Sequence, residues 1–213
     1  MILAIDTSGQ NLGLALANQG RIVASLLLNP GLKHGEILQN CIAKFLNEAE
    51  TKLSELSGLA VTMGPGSFTG LRIGLAAAKG YCYALNLPLA GLSTLEAGAN
   101  AFANTPRPVV VIFDARRNEF YWATFNCSGD IPARLSGDSV GPMSDLKDLA
   151  KSGAIFFGPA ALQNQFSEHL GVLDYRPNDD FNLAIPTTLY GEKDIQRNRA
   201  LDRNEVVPIY IRF

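Results

Sequence analysis

The chain reads as an α/β protein of two lobes, each built on one repeated βββαβα unit. Three observations carry that reading. An apolar strand closing on an aspartate occurs twice, ending at Asp6 and again at Asp114, and each time further strands follow at hairpin spacing. In the first lobe a β-branched run then enters a glycine turn and a long apolar helix, over residues 61–85. Between the two beginnings lies a polar, proline-marked joint, Asn104-Thr105-Pro106-Arg107-Pro108, which sets the expected lobes at 1–106 and 107–213. With 213 residues and 47% hydrophobic content, either lobe has ample core.

In the first lobe, residues 1–8, 12–17 and 21–28 are apolar runs separated by short polar turns, a three-stranded meander. Residues 33–49 follow with Ile37, Leu38, Cys41, Ile42, Phe45 and Leu46 at helical spacing. A strand is expected at 59–63, the long helix from near Thr69 to Leu85, a strand at 88–92 and a short helix from Ser93. The second lobe repeats the order: strands at 109–114, 119–125 and 133–140, a helix at 145–151, a strand at 154–157 and a helix at 161–170. Residues 174–204 are polar and poorly periodic and predict no element. Their charged stretch 192–203 reads as a solvated face. A last strand is expected at 206–212.

The most informative segment is Gly64-Pro65-Gly66-Ser67-Phe68-Thr69-Gly70-Leu71-Arg72-Ile73-Gly74. A strand, glycine turn and helix N-terminus in this order bring backbone N–H groups to a ligand or a partner. The spacing fails both common phosphate templates. No lysine follows Gly70 as a P-loop requires, and Thr69 stands where the dinucleotide fingerprint needs its third glycine. The helix itself is apolar nearly all round. Gly70, Gly74, Ala77 and Tyr81 form a small-residue ridge, Leu71, Leu75, Ala78, Cys82 and Leu85 form a second stripe, and Arg72 and Lys79 make the one charged edge. A helix of that kind is buried on more than one side, either wholly within its own lobe under the sheet or with one stripe on the sheet and the other on a second subunit.

Composition removes several classes of function. A net charge of −2 provides no general field for nucleic acid or an anionic membrane. Cys41, Cys82 and Cys127 are odd in number, far apart and set in apolar stretches, as buried thiols in a reducing compartment would be. Asp6 interrupts the first apolar run, unlike a signal peptide, and no run reaches the ~18 residues of a membrane span. The expected location is the cytoplasm. His34 and His169 are the only histidines, and His34 reads as a surface residue at a helix start. No His-x3-His, Cys-x2-Cys or Glu-x2-His spacing occurs, and no histidine stands near enough in the sequence to pair with Ser67. Asp138, Asp145, Asp179 and Asp180 read as solvated or capping residues, and Arg116 with Arg117 is too local a pair to mark an RNA surface.

Two aspartate-ended strands that open meanders resemble the actin-like ATPase superfamily, the sugar kinase and heat-shock fold. Asp6, Thr7 and Ser8 resemble that superfamily's first phosphate loop and are candidates for a vestigial nucleotide site. The second loop, Phe113-Asp114-Ala115-Arg116-Arg117, departs from it, because arginines replace the small residues that admit a nucleotide. Ile5-Asp6-Thr7-Ser8, Lys33-His34-Gly35-Glu36, residues 63–74, Ala90-Gly91-Leu92-Ser93-Thr94-Leu95, Phe113-Asp114-Ala115-Arg116 and Pro208-Ile209-Tyr210-Ile211-Arg212 together resemble the TsaB (YeaZ) family. That resemblance covers most of the chain and is densest in the first 120 residues.

The resemblance implies a bacterial role in making N6-threonylcarbamoyladenosine on transfer RNA. It implies a catalytic partner, TsaD, the ATPase TsaE joining the complex, contact with tRNA only through that complex, and a homodimer when the chain is alone. The catalytic relative carries a His-x-Glu-x-His metal motif. Laid on this chain, that motif falls on Thr94, Glu96 and Gly98, so both imidazole positions are lost, and with them the ligands a transition metal needs. The expected protein is therefore a non-catalytic subunit, without metal or cofactor, that activates a transferase acting on adenosine 37 of ANN-decoding tRNAs. Its expected partner-binding residues are Ile37, Leu38, Cys41 and Phe45 on the first helix and Arg72, Leu75, Ala78, Lys79 and Cys82 on the second. The competing function is an active enzyme of the same fold, an ATP-dependent small-molecule kinase or a peptidase. A kinase would need a competent second phosphate loop and an adenosine-binding glycine pair, of which Phe157-Gly158-Pro159 is at best half, and a peptidase would need the missing histidines.

Overall fold

Alternating apolar and polar runs build two sheets of the same plan. The computed structural model describes residues 1–31, 33–202 and 206–211. The first meander is β1 (Ile2–Asp6), β2 (Leu12–Asn18) and β3 (Arg21–Leu28). After α1 (His34–Glu48) come β4 (Gly58–Thr62), α2 (Phe68–Leu85), β5 (Leu89–Leu92) and the short α3 (Thr94–Ala99). The sheet order is β3-β2-β1-β4-β5, with β1, β4 and β5 parallel and the meander antiparallel. The second half opens with β6 (Pro108–Arg116), β7 (Glu119–Asn126), and two short strands, β8 (Ala133–Arg134) and β9 (Ser139–Pro142), in place of the single strand expected at 133–140. It continues with α4 (Lys147–Lys151), β10 (Ile155–Gly158), α5 (Gln163–Leu170) and β11 (Tyr175–Pro177). Its order is β11-β10-β6-β7-β8, with β9 also on β7. Central strand, antiparallel hairpin on one side and parallel strands on the other recur in both sheets. This is the actin-like fold, duplicated.

The compact units are not two consecutive stretches. One consists of Met1–Thr94 with Asn182–Ile209, and the other is built on Leu95–Phe181. The lobe bounds 1–106 and 107–213 stand as a proposal read from the sequence. The return of the chain to its first unit is made by α6 (Ala184–Gln196), in the stretch read above as polar and poorly periodic, and its last turns overlap the residues read as a solvated face. The buried face of α6 consists of Ala184, Pro186, Thr187, Thr188, Gly191 and Glu192, small and polar residues that leave no hydrophobic stripe to detect. Asn182 donates to the Leu14 and Leu26 carbonyls, Thr188 donates to the Ile2 carbonyl, and both Glu192 oxygens accept from the turn N–H groups of Gln19 and Gly20. Over residues 206–211 there is no strand among the described residues, although the Ile209 N–H donates to the Met63 carbonyl at 2.7 Å. Arg212, the end of the expected strand, lies outside the described residues.

The two faces of the first sheet differ in kind. Leu3, Ile5, Leu12, Leu14, Leu16, Leu59 and Val61 form a large aliphatic cluster with Leu38, Ile42, Phe45 and Leu46 of α1 and Leu75, Ala78 and Cys82 of α2. The other face, under α6, is the alanine-rich set Ile2, Ala4, Ala15, Ala60, Ala90 and Ala184. Small residues there bring the α6 backbone near the sheet; a Cβ at Gly191 would lie 2.5 Å from that of Ala60. The second unit has its own cores, one around Phe156, Phe166 and Trp122, the other around Val109, Val111, Phe125 and Phe157. Among the described residues, no helix is long and apolar enough to cross a membrane.

Candidate functional site

The end of β1 places Asp6, Thr7 and Ser8 where a phosphate loop would open, and there the loop turns inward. All three residues are buried. One Asp6 oxygen accepts from the Ser8 N–H at 3.1 Å, the Ser8 hydroxyl at 2.6 Å and the Thr62 hydroxyl at 2.6 Å. Burial pushes the Asp6 carboxyl above its ordinary pKa, partly offset by these hydrogen bonds and by the nearby His34. The Thr7 hydroxyl donates to the Gly70 carbonyl at 2.7 Å, and the Ser67 N–H donates to the Ser8 carbonyl at 2.7 Å. Gly66, Gly70 and Gly74 exist for this packing: a Cβ at any of them would overlap Ser8 or Thr7. The N-terminus of α2 thus sits directly on the loop, and the groups that would hold a phosphate are spent on the protein itself. His34, expected at the surface, is buried beside this cluster with Nε2 3.0 Å from the Asn11 carbonyl oxygen.

The corresponding loops of the second unit are also unlike a nucleotide site. At the β6–β7 turn, Arg116, Arg117 and Asn118 all have positive φ, at 67°, 55° and 60°, and the Arg116 N–H is held by Asp114 at 2.7 Å. At Gly158, an added Cβ would lie 2.6 Å from the Tyr175 hydroxyl, which donates to the Pro159 carbonyl at 2.9 Å. Burial raises the Tyr175 pKa. An ATP cofactor of the kind the fold family implies does not fit these residues.

The position that the resemblance assigns to the catalytic relative's metal motif is filled in the same manner. Thr94 is fully buried, and its hydroxyl has no hydrogen-bond partner among the described residues. A Cβ at Gly98 would lie 2.8 Å from a Val111 methyl, which leaves no room for imidazole. The Glu96 carboxylate lies 3.7 Å from the guanidinium of Arg134, which also pairs with Asp138. Among the described residues, no group of three or more His, Cys, Asp or Glu side chains is placed to hold a metal ion.

The paired helices α1 and α2 form the remaining surface of interest. Ser67 caps α2 by accepting from the Gly70 N–H at 3.2 Å, Asn86 closes it in the left-handed conformation, and Pro88 follows beyond the end. Both stripes anticipated on α2 turn inward: Gly70, Leu71, Gly74, Leu75, Ala77, Ala78 and Cys82 are all buried. Of the expected contact residues, Leu38, Phe45, Leu75, Ala78 and Cys82 therefore belong to the unit's own core, Ile37, Cys41 and Lys79 are half-buried, and Arg72 alone is exposed. The outward side of α2 is a third face that hydrophobic periodicity did not mark, with Phe68 53% and Tyr83 55% exposed beside Arg72, Ala76, Gly80 and Ala84. The Arg72 guanidinium stacks on the Phe68 ring at 3.7 Å. Between α1 and α2 runs a groove of about 580 Å³ walled by Gly35, Gln39, Ile73, Ala76, Gly80 and Ala84, with Tyr81 donating across it to Gln39 at 2.8 Å.

Known proteins resemble this chain in sequence and in fold. The family model described as TsaD, tRNA N6-adenosine threonylcarbamoyltransferase, matches residues 31–173. The TsaB threonylcarbamoyladenosine biosynthesis protein of Bacillus subtilis is 30% identical over 150 residues, covering 70% of this chain and 66% of that protein. Its Escherichia coli namesake is 37% identical over 126 residues, 58% of this chain and 54% of that one. The matched stretch thus spans between half and two thirds of these relatives. In structure, YeaZ from Pseudomonas aeruginosa superposes with a TM-score of 0.82 over 99% of both chains, at 23% identity, a likeness of fold.

Proposed function

The chain belongs to the TsaB (YeaZ) family, and from that premise we propose that it is a non-catalytic subunit of the machinery that makes N6-threonylcarbamoyladenosine at position 37 of ANN-decoding tRNAs. It binds and activates a TsaD-type subunit, with a TsaE-type ATPase joining the complex. Its contribution is a docking surface, because the loops that would do chemistry in this fold are filled by its own side chains.

The observation that carries this reading is Gly80. A glycine inside a helix costs about 0.5–1 kcal/mol relative to alanine. Gly70 and Gly74 repay that cost through their contact with Thr7, but a Cβ at Gly80 would meet nothing within 4 Å. The fold has no use for the missing side chain. A neighbouring backbone does: with Gly35, Ala76 and Ala84, Gly80 makes a shallow floor on which a partner helix pair rests closely, and the exposed Phe68 and Tyr83 flank it as aromatic anchors. Two helices meeting two helices in this way bury an interface on the order of 1,600 Å².

The test is Gly80→Leu, assayed for binding to purified TsaD-type subunit and for tRNA modification by the reconstituted complex. The variant is expected to melt no lower than the parent yet bind at least about tenfold more weakly, a difference of ~1.4 kcal/mol. Unchanged binding would remove the groove from the interface. ATP turnover by the isolated chain near ordinary enzyme rates, roughly 1 per second or more, would overturn the non-catalytic role.

A further inference from the structure

The turn after β1 is tied to the first turn of α2 by a closed ring of hydrogen bonds. The Thr7 hydroxyl donates to the Gly70 carbonyl at 2.7 Å, and the Gly70 N–H donates to the Ser67 hydroxyl at 3.2 Å. The Ser67 N–H then donates to the Ser8 carbonyl at 2.7 Å, and Ser8 follows Thr7 in the chain, which completes the ring. Asp6 fixes the ring to the sheet, since one of its carboxylate oxygens accepts from the hydroxyls of both Ser8 and Thr62 of β4.

This end of α2 is the part that needs holding. Gly66, Gly70 and Gly74 lie in it or just before it, and a glycine leaves the backbone freer than any other residue. Among residues 68–74, Leu71 is the one large side chain that is fully buried. Farther along, Leu75, Ala78 and Cys82 seat the helix in the aliphatic core. The exposed Phe68 and Arg72, stacked on each other, therefore stand on the soft end, while Gly80 and Tyr83 stand on the firm one. Within a helix the carbonyl of residue 70 accepts from the N–H of residue 74 in any case. The Thr7 hydroxyl is a second donor to it, so this bond sets where the turn lies instead of filling a vacant acceptor.

We propose that Thr7 is a positioning residue for partner docking: from inside the protein it sets where the first turn of α2 stands, and with it Phe68 and Arg72. Side chains already in place lose less freedom on binding, so the effect is read in affinity although Thr7 is buried and touches no partner. A turn that would hold phosphate in this fold serves here to present a protein surface. The positioning role rests on the docking function proposed above.

Thr7→Ala and Thr7→Ser test it, because both lose the methyl, only serine keeps the hydroxyl, and neither adds bulk. Binding to purified TsaD-type subunit is measured at a temperature where circular dichroism finds every variant folded. Thr7→Ala is expected to bind about fivefold more weakly than the parent, and Thr7→Ser within about twofold of it. Glu192→Ala, which loosens the opposite face of the sheet, is expected to bind as the parent does. In the isolated chain, Thr7→Ala is expected to speed amide exchange about tenfold over residues 71–74 and to leave residues 79–84 unchanged. Equal affinity of the alanine and serine variants, an equal loss in Glu192→Ala, or exchange over 71–74 no faster than in the parent each overturns the positioning role. With a parent that binds, those results sink the positioning role alone. A parent that does not bind the TsaD-type subunit overturns the docking function, and the positioning role falls with it.

Discussion

Asp6 holds three hydrogen bonds on one carboxylate oxygen in a site closed to water. Because burial raises its pKa in the folded chain, the unfolded chain releases this proton at lower pH than the folded one. The stabilisation from protonated Asp6 is complete below the unfolded value and is lost as pH rises through the raised folded value. Asp6→Asn keeps the accepting oxygen and removes the charge. Its melting temperature relative to the parent is therefore expected to be most favourable at neutral pH and to decline toward about pH 4. Asp6→Ala, which orphans the Ser8 and Thr62 donors, should cost ~1–3 kcal/mol in urea unfolding. The glycines of α2 separate by the same logic. Gly70→Ala drives a methyl into the Thr7 carbonyl and should destabilise by ~1–3 kcal/mol, whereas Gly80→Ala should stabilise by ~0.5–1 kcal/mol. Equal effects at the two positions would show that α2 is not held as described.

At the scale of elements, α6 is the least legible and one of the most consequential. Its hold on the first sheet is polar: Glu192 ties the Gln19–Gly20 turn through two N–H bonds of 2.7 and 2.6 Å. Glu192→Ala leaves those N–H groups without their partner and should lower stability by ~1–3 kcal/mol, while Glu192→Gln should cost less because one acceptor survives. Urea titration of the two variants distinguishes a hairpin clamp from a surface ornament; equal stability of Glu192→Ala and the parent would exclude the clamp. The α1–α2 pair teaches the converse. Its apolar stripes were plain in the sequence, but periodicity reports that a face is apolar and not which neighbour covers it. The sheet took both α2 stripes, and the outward face was left to Gly80, Ala76 and Ala84, whose small size carries almost no hydropathy signal.

At the scale of the molecule, the first unit is closed by chain that returns only after Leu95–Phe181 has gone into the second unit. A chain ending after Phe181 would expose Ile2, Ala4, Ala15, Ala60 and Ala90 and lose the hydrogen bonds of Asn182, Thr188 and Glu192. Such a truncation is expected to abolish the cooperative unfolding transition of the first unit, as read by hydrogen exchange in β1, β2 and β4. Native-like protection of those strands would show that α6 is dispensable.

Local chemistry in the sequence determined a great deal. The order of strands and helices from residue 1 to 170 follows from hydrophobic period and turn residues, and β3 and the C-terminal end of α2 fall where those signals put them. That Thr94 and Gly98 stand where the family resemblance would put the catalytic relative's two histidines is also read from the sequence. Tertiary structure alone decided the rest. It closed the Asp6 turn with the glycines of α2, buried His34, brought α6 to the first sheet and left β3 uncovered. Each of these is a contact between segments far apart in the chain, several of them made by polar or very small side chains. Hydrophobic periodicity is silent about such groups, because what they contribute is hydrogen bonding and close approach rather than transfer of apolar surface from water.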